Sequence, residues 1–131
     1  MAFLEFSFIF IIGAIGYGSI ELLWRGHTHW TMILLGGVCL YVIYLISSRM
    51  KDSFEKKAVM CTFAVTALEF LTGCIVNIRL GWNVWDYSKL PFNLMGQICP
   101  AFSLMWLILC LPCIFLSKSI YKKVFFPNLK K

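Results

Sequence analysis

Four long apolar runs, separated by short polar segments, dominate the chain. They cover about residues 6–24, 31–48, 58–78 and 94–116. An α-helix rises about 1.5 Å per residue, so a run of roughly 20 residues crosses the roughly 30 Å hydrocarbon core of a bilayer. The runs do not alternate polar with apolar side chains, as the shorter strands of a membrane β-barrel would. The pattern predicts an all-α membrane protein, an antiparallel bundle of four transmembrane helices.

The composition agrees with a single membrane domain over residues 1–131. The chain has a mean hydropathy of +0.81, and only 14% of its residues are charged, whereas a soluble domain carries about 25%. We expect the first helix to stay in the protein rather than to be cleaved as a signal peptide. The stretch MAFLEF has no Lys or Arg ahead of the apolar run, and no A-x-A site follows it.

Basic residues are distributed unevenly between the two sides of the predicted bundle. With four crossings, both termini and the middle loop share one side, and the positive-inside rule makes that side cytoplasmic because it holds most of the Lys and Arg residues. Anionic lipid headgroups are the natural partner of these residues, so the net charge of +6 gives no reason to expect nucleic-acid binding. The other side carries Arg25, Arg79 and Lys89. The basic residues assigned to the cytoplasmic side are Arg49, Lys51, Lys56, Lys57, Lys118, Lys122, Lys123, Lys130 and Lys131, against the acidic Glu5, Asp52 and Glu55.

Polar residues within the apolar runs are concentrated on the predicted outer side, and the inner halves of the helices read as almost purely apolar. An ionisable side chain inside a bilayer costs about 2.5–3.5 kcal/mol on insertion scales, so each one needs a partner or a function. Glu69 lies near the middle of the third run, and Glu21 lies one helical turn before Arg25, so these two charges can meet. The predicted binding residues are Glu21, Arg25, His27, His29, Glu69, Asn77, Arg79, Trp85, Asp86, Tyr87, Asn93 and Gln97.

This polar cluster has two interpretations. It can be a structural network that holds helices together, since buried charges require mutual pairing. It can also be a water-filled pocket for a polar or zwitterionic headgroup. The connection between the third and fourth runs adds Trp82, Trp85 and Tyr87, which we expect in an interfacial aromatic belt, with a short interfacial helix or re-entrant turn as the alternative.

Catalytic chemistry has four candidate residues. His27 and His29 form an H-x-H pair that could bind Zn²⁺ with Glu21 or Glu69, but neither an HExxH helix nor paired CxxC motifs accompany it. We therefore assign no metal site, and the sequence leaves any cofactor unknown. A histidine could also act as general base, with Glu69 orienting it and Cys99 as nucleophile. That arrangement would make the protein a membrane-embedded enzyme acting on a lipid or lipoprotein headgroup.

A redox motif is present in form only. Cys110 and Cys113 are spaced as CxxC. They lie on the predicted cytoplasmic side, away from the polar cluster and from the compartment in which disulfides persist, so redox chemistry is disfavoured.

Three stretches, IELLWRGHTHWTMILLGG, ALEFLTGCIVN and NVWDYSKLPFNLMGQIC, carry a family resemblance. They resemble the small bacterial membrane proteins described as Putative ABC-transporter type IV, or permease-like, and the vertebrate transmembrane protein 229 group looks related. The resemblance covers about residues 16–106, and WDYS-x-x-PFN-x-x-GQIC is its most specific part. Pro100 departs from the leucine expected after GQIC, which affects only where the fourth helix starts. The signature positions that the resemblance implies are the predicted binding residues, with Trp30 added and Arg79 left out.

The resemblance implies a permease in the bacterial plasma membrane that works with an ATPase subunit. The chain has no GxxxxGK[ST] loop with which to hydrolyse ATP itself. Four helices are few for a transport path, so transport would require a homo-oligomer. The sequence therefore leaves three functions open: a permease-like or headgroup-binding component with an outward-facing polar pocket, a membrane-embedded enzyme, and a structural or assembly protein.

Overall fold

A computed structural model describes residues 2–128, which form four long helices. They are α1 (Ala2–Arg25), α2 (Trp30–Arg49), α3 (Phe54–Gly73) and α4 (Pro100–Ile120). Each is long and apolar enough to cross a membrane, which confirms the predicted fold class. Lys130 and Lys131, which the sequence assigns to the cytoplasmic side, lie outside the described residues.

Two of the helices continue into π-helical turns, in which hydrogen bonds join residues five apart. α3 continues through Cys74–Arg79, and α4 continues through Tyr121–Phe125. Five of the lysines that were assigned to the cytoplasmic side therefore lie on helix. Three of them are near the C-terminus, and two lie between the second and third apolar runs. These lysines are Lys118, Lys122 and Lys123 in the first group, and Lys56 and Lys57 in the second.

The segment between α3 and α4 is a folded loop and contains the first residues of the predicted fourth helix. Phe92 and Met95 have φ angles of 56° and 54°, a conformation that no right-handed helix contains. The backbone N–H of Leu94 instead donates to the carbonyl of Ile98 at 2.9 Å. α4 consequently begins at Pro100, which is well tolerated in the first turn of a helix.

The same loop corrects the expectation of an aromatic belt. Trp82 is 46% exposed, as an interfacial side chain would be, but Trp85 is only 5% exposed and belongs to the buried core. The prediction was wrong for Trp85 because the loop folds back over the bundle. No interfacial helix forms between residues 80 and 99, where the backbone consists of turns and irregular loop.

The four helices run antiparallel and give the bundle two ends. We call the end with the 80–99 loop the loop end, and the end where α1 begins and α4 finishes the terminus end. α2 is central because it packs on each of the other three helices, whereas α1 packs mainly on α2. At the loop end, Gly26 leaves α1 with φ of +78°, a conformation that favours glycine, and starts the turn into α2.

The terminus end contains buried polar residues, so the prediction of almost purely apolar inner halves was wrong. Glu5 is 2% exposed, and its Oε2 accepts a hydrogen bond from the Tyr44 hydroxyl. The guanidinium Nη2 of Arg49 lies 3.8 Å from the same oxygen. Lys57 is also buried, and its Nζ donates to the Ser47 carbonyl at 2.8 Å. Because α1 already begins at Ala2, Glu5 lies on helix and faces α2.

Candidate functional site

A cleft of about 700 Å³ opens at the loop end between α1, α4 and the 80–99 loop. α1 and α4 supply apolar walls through residues such as Ile20, Trp24, Met105 and Ile108. Five charged side chains also line the cleft. They are Glu21, Arg25, Glu69, Asp86 and Lys89.

Glu69 is the most deeply buried charged group of the cleft, with 2% of the residue exposed. Its Oε2 accepts hydrogen bonds from the Trp106 indole Nε1 at 3.3 Å and from the Tyr87 hydroxyl at 3.4 Å. Its other carboxylate oxygen, Oε1, is also buried and has no hydrogen-bond partner among residues 2–128. Since a buried acceptor without a donor costs free energy, this oxygen marks a place where a donor is missing.

Aromatic stacking fixes the two donors that reach Glu69. Tyr87 stacks on Phe102, with ring centroids 4.5 Å apart and planes 7° apart. Trp106 stacks on Tyr17 of α1, with centroids 5.5 Å apart. Burial, and then the negative charge of Glu69, raise the pKa of the Tyr87 hydroxyl. That hydroxyl therefore stays protonated and acts as a hydrogen-bond donor to the Glu69 carboxylate.

Glu21 and Arg25 form the α1 side of the charged region. Arg25 Nε lies 3.5 Å from Glu21 Oε2, and Arg25 Nη2 donates to the Val84 carbonyl at 3.0 Å. The arginine thus joins the end of α1 to the loop. Glu21 is 5% exposed, and its Oε1 accepts no hydrogen bond of good geometry in the described part of the chain, although the Tyr17 hydroxyl lies close to this carboxylate.

Asn77 and Gln97 hold the loop in place beneath the cleft. Asn77 Oδ1 accepts from the Val84 backbone N–H at 2.6 Å, and Asn77 Nδ2 donates to Gln97 Oε1 at 2.8 Å. The Trp85 indole donates to the Gln97 carbonyl at 3.0 Å. A Cβ added at Gly73 would lie 2.5 Å from Gln97 Oε1, so only glycine leaves room for this contact.

Asp86 and Asn93 shape the part of the loop at the mouth of the cleft. Asn93 Nδ2 donates to the Leu90 carbonyl, and Asn93 Oδ1 accepts from the Gly96 N–H, each at 2.9 Å. The backbone N–H of Ser88 donates to Asp86 Oδ1 at 2.9 Å and holds the pKa of the Asp86 carboxyl below its usual range. These bonds order the backbone that carries the side chains lining the cleft.

The structure divides the predicted binding residues into three groups. The first group lines the cleft, the second supports the loop through hydrogen bonds, and the third does neither, although the His29 ring lies 5.9 Å from the Trp82 ring of the loop. The first comprises Glu21, Arg25, Glu69, Trp85, Asp86 and Tyr87; the second Asn77, Asn93 and Gln97; the third His27, His29 and Arg79. His27 and Arg79 are exposed, and His29 caps α2 through Nδ1, which accepts from the Thr31 N–H at 3.3 Å.

The proposed catalytic residues do not converge on the cleft. Glu69 lines it, whereas His27, His29 and Cys99 do not. Cys99 is 3% exposed and caps the start of α4. Among residues 2–128, His, Cys, Asp and Glu side chains form no group of three that could hold a metal ion. The geometry therefore gives no support to a histidine base with a cysteine nucleophile.

The residues that line the cleft but were not predicted from the sequence include Tyr17, Lys89, Phe102 and Trp106. Trp106 had a usable signal, because a buried indole N–H needs an acceptor and the apolar runs contain few. Tyr17 and Phe102 had none, since their role depends on which ring each one stacks against.

A sequence model of the family described as Putative ABC-transporter type IV matches residues 8–130. The chain belongs to this family. The match covers every residue that lines the cleft. Together with four helices able to span a membrane, it makes this member of the type IV family a multi-pass, permease-like membrane protein. No curated protein and no solved structure matches the chain significantly, and the relation to the vertebrate group stays a prediction.

Proposed function

We propose that the protein is a permease-like membrane component that binds an amphipathic molecule in the loop-end cleft. The polar head of this molecule lies against the charged residues, and its apolar chain lies between α1 and α4. The observation that carries the proposal is the incompletely paired, buried Glu69 carboxylate at one end of a cleft with apolar walls. A purely structural network would be expected to satisfy its buried acceptors.

The seam between α1 and α4 supports entry from the side. Near the terminus end the two helices meet, because Ile9 and Ile120 share a buried cluster and the Phe8 and Phe125 rings are 5.5 Å apart. At the cleft, by contrast, Ile108 is 60% exposed. Exposed apolar side chains of a transmembrane helix face acyl chains, so the cleft opens toward lipid as well as toward the membrane surface.

A matched pair of substitutions on α4 tests the proposal. Ile108 lines the cleft and is 60% exposed, whereas Leu104 is 59% exposed and does not line it. Ile108→Trp should fill the cleft and lower the occupancy of bound phospholipid, measured by native mass spectrometry of the purified protein titrated with lipid in detergent. Leu104→Trp should leave the occupancy at the wild-type value. Equal occupancy in all three proteins would overturn the proposal.

The proposal includes the orientation, with the loop end outside the cell and the terminus end in the cytoplasm of a bacterium. The excess of basic residues near the terminus end supports it. Ser88 and Lys51 are exposed residues at opposite ends of the bundle. In a cysteine-free background, Ser88→Cys should react with an impermeant maleimide added to intact cells, and Lys51→Cys should not. The reverse labelling pattern would contradict this orientation.

Family membership also supports an ATPase subunit as a partner, and a homo-oligomer as the transporting unit. Four helices leave little room for a complete transport path, and the sequence has no phosphate-binding GxxxxGK[ST] loop. The mass of the detergent-solubilised complex, measured by light scattering, tests the oligomer. A monomer at all protein concentrations would count against transport by this chain alone.

A further inference from the structure

We infer that the cleft selects amphiphiles whose head carries a protonated amine, which binds between Glu21 and Glu69. The inference rests on the proposed function and adds the chemical class of the ligand. A phospholipid with an ethanolamine head and a single-chain alkylamine share this chemistry, and the experiment below distinguishes them.

Two buried carboxylate oxygens of the cleft are available as hydrogen-bond acceptors. Oε1 of Glu69 is buried and has no hydrogen-bond partner among residues 2–128, and Oε1 of Glu21 is buried and accepts no hydrogen bond of good geometry there, although the Tyr17 hydroxyl lies close to the Glu21 carboxylate. The two residues are 5% and 2% exposed, and both line the same cleft. An alkylammonium group carries three N–H donors and a positive charge. It is therefore suited to satisfy two carboxylate oxygens at once.

The charged side chains that line the cleft have a negative formal balance. Three carboxylates and two cations line it, so the formal balance is −3 + 2 = −1. Arg25 lies beside Glu21. Glu69, in contrast, has no Lys, Arg or His nitrogen within 4.0 Å in the described chain, and its donors Tyr87 and Trp106 are neutral. One positive charge from the ligand would complete the pairing that a buried carboxylate requires.

The charges of the cleft also differ in their depth. The carboxylates of Glu21 and Glu69 are buried, whereas Lys89 is exposed at the loop. An anionic head would meet two carboxylates at the buried end, which is unfavourable. A zwitterionic head would place its amine there and its phosphate near Lys89. Amine and phosphate are adjacent in an ethanolamine phospholipid, which matches this order.

Quaternary ammonium heads provide a sharper distinction. A trimethylammonium group keeps the positive charge but has no N–H to donate. It could still bind against the Trp106 and Tyr17 rings through cation–π attraction. If free carboxylate acceptors select the ligand, a primary amine should bind more tightly than its trimethylated form, and both should bind more tightly than a neutral or anionic head.

The experiment measures dissociation constants by native mass spectrometry, with the protein in a neutral maltoside detergent. The probes are phosphatidylethanolamine, phosphatidylcholine and phosphatidylglycerol with identical acyl chains, together with dodecylamine and dodecanol. We expect phosphatidylethanolamine to bind about tenfold more tightly than phosphatidylglycerol, since charge-assisted hydrogen bonds to a buried group are strong. Tighter binding of dodecylamine than of dodecanol would show that the amine alone suffices. If only the phospholipid shows the preference, and Lys89→Gln removes it, the phosphate is also required.

Carboxamide variants locate the preference. Glu69→Gln and Glu21→Gln should each reduce the preference for the amine head severalfold, whereas Glu5→Gln, at the terminus end, should preserve it. Two cleft variants keep the test informative if one of them fails to fold. Equal affinities for all heads in wild type, with binding still sensitive to Ile108→Trp, would overturn the amine inference and leave the proposed function standing. Binding insensitive to Ile108→Trp would overturn both.

Discussion

Glu5 and Glu69 are equally buried, each 2% exposed, yet their surroundings differ. At the terminus end, Glu5 accepts from the Tyr44 hydroxyl and lies beside the cationic Arg49. At the loop end, Glu69 has only neutral donors, keeps one oxygen unpartnered in the described chain, and borders open volume. Burial alone therefore does not distinguish a carboxylate whose partners are complete from one that is a candidate for binding a ligand. The completeness of its partners and the adjacent space make the distinction.

The largest effect on stability should come from removing the well-paired carboxylate. Glu5→Ala leaves the buried Tyr44 hydroxyl without an acceptor, and such a loss costs about 1–3 kcal/mol. Glu69→Gln should cost less, because the amide oxygen can still accept from Tyr87 and Trp106. The free energy of unfolding, measured by tryptophan fluorescence in mixed micelles, checks both values. The double variant Glu5→Ala/Tyr44→Phe should recover part of the loss. A larger loss for Glu69→Gln than for Glu5→Ala would break the comparison.

A smaller effect, confined to the loop end, should follow Gly73→Ala. The added methyl group would lie 2.5 Å from Gln97 Oε1 and 2.9 Å from a Trp85 ring carbon. Overpacking of this kind costs about 1–2 kcal/mol, and here it displaces the loop, so lipid binding should fall as well. Gly16→Ala is the control, since a Cβ there has nothing within 4 Å. Unchanged emission of Trp85 and unchanged lipid binding in Gly73→Ala would show that the loop does not depend on this contact.

The helices were largely predictable, because hydropathy depends on side chains that the sequence lists. The start of α4 was not predictable in this way. Leu94 and Met95 are apolar, but Met95 has a φ of 54°, and hydropathy is blind to backbone conformation. The burial of Glu5 was not predictable for a related reason. A count of charges by side of the membrane does not tell whether a residue is exposed, and three residues of helix already precede Glu5.

The candidate site was predictable only in part. Glu21, Arg25 and Glu69 followed from the cost of placing charge in a membrane, which needs only their position along an apolar run. The sequence did not predict that Tyr87 and Trp106 donate hydrogen bonds to Glu69. These residues are 18 and 37 positions away, and they reach Glu69 only through the folding of the 80–99 loop and the packing of α4. The histidines entered the prediction because they are polar residues in a turn. Helix capping, which is the role of His29, leaves the same trace in a sequence as a binding site does.

The smallest expected effect concerns pH and separates the mouth of the cleft from its buried end. The Ser88 N–H holds the pKa of Asp86 below its usual range. The pKa of Asp86 is therefore lower in the folded loop than in the unfolded chain. The stabilisation that the ionised Asp86 gives the loop is complete above the unfolded pKa of about 4, and it is lost as the pH falls through the folded pKa. Asp86 is fully exposed, so the consequence should be local loosening of the loop rather than unfolding. The difference in tryptophan emission between wild type and Asp86→Asn should therefore stay constant from pH 8 to about pH 5 and change only in stronger acid. An acid change of equal size in both proteins would assign the titration to another group and contradict the role of Asp86 in ordering the loop.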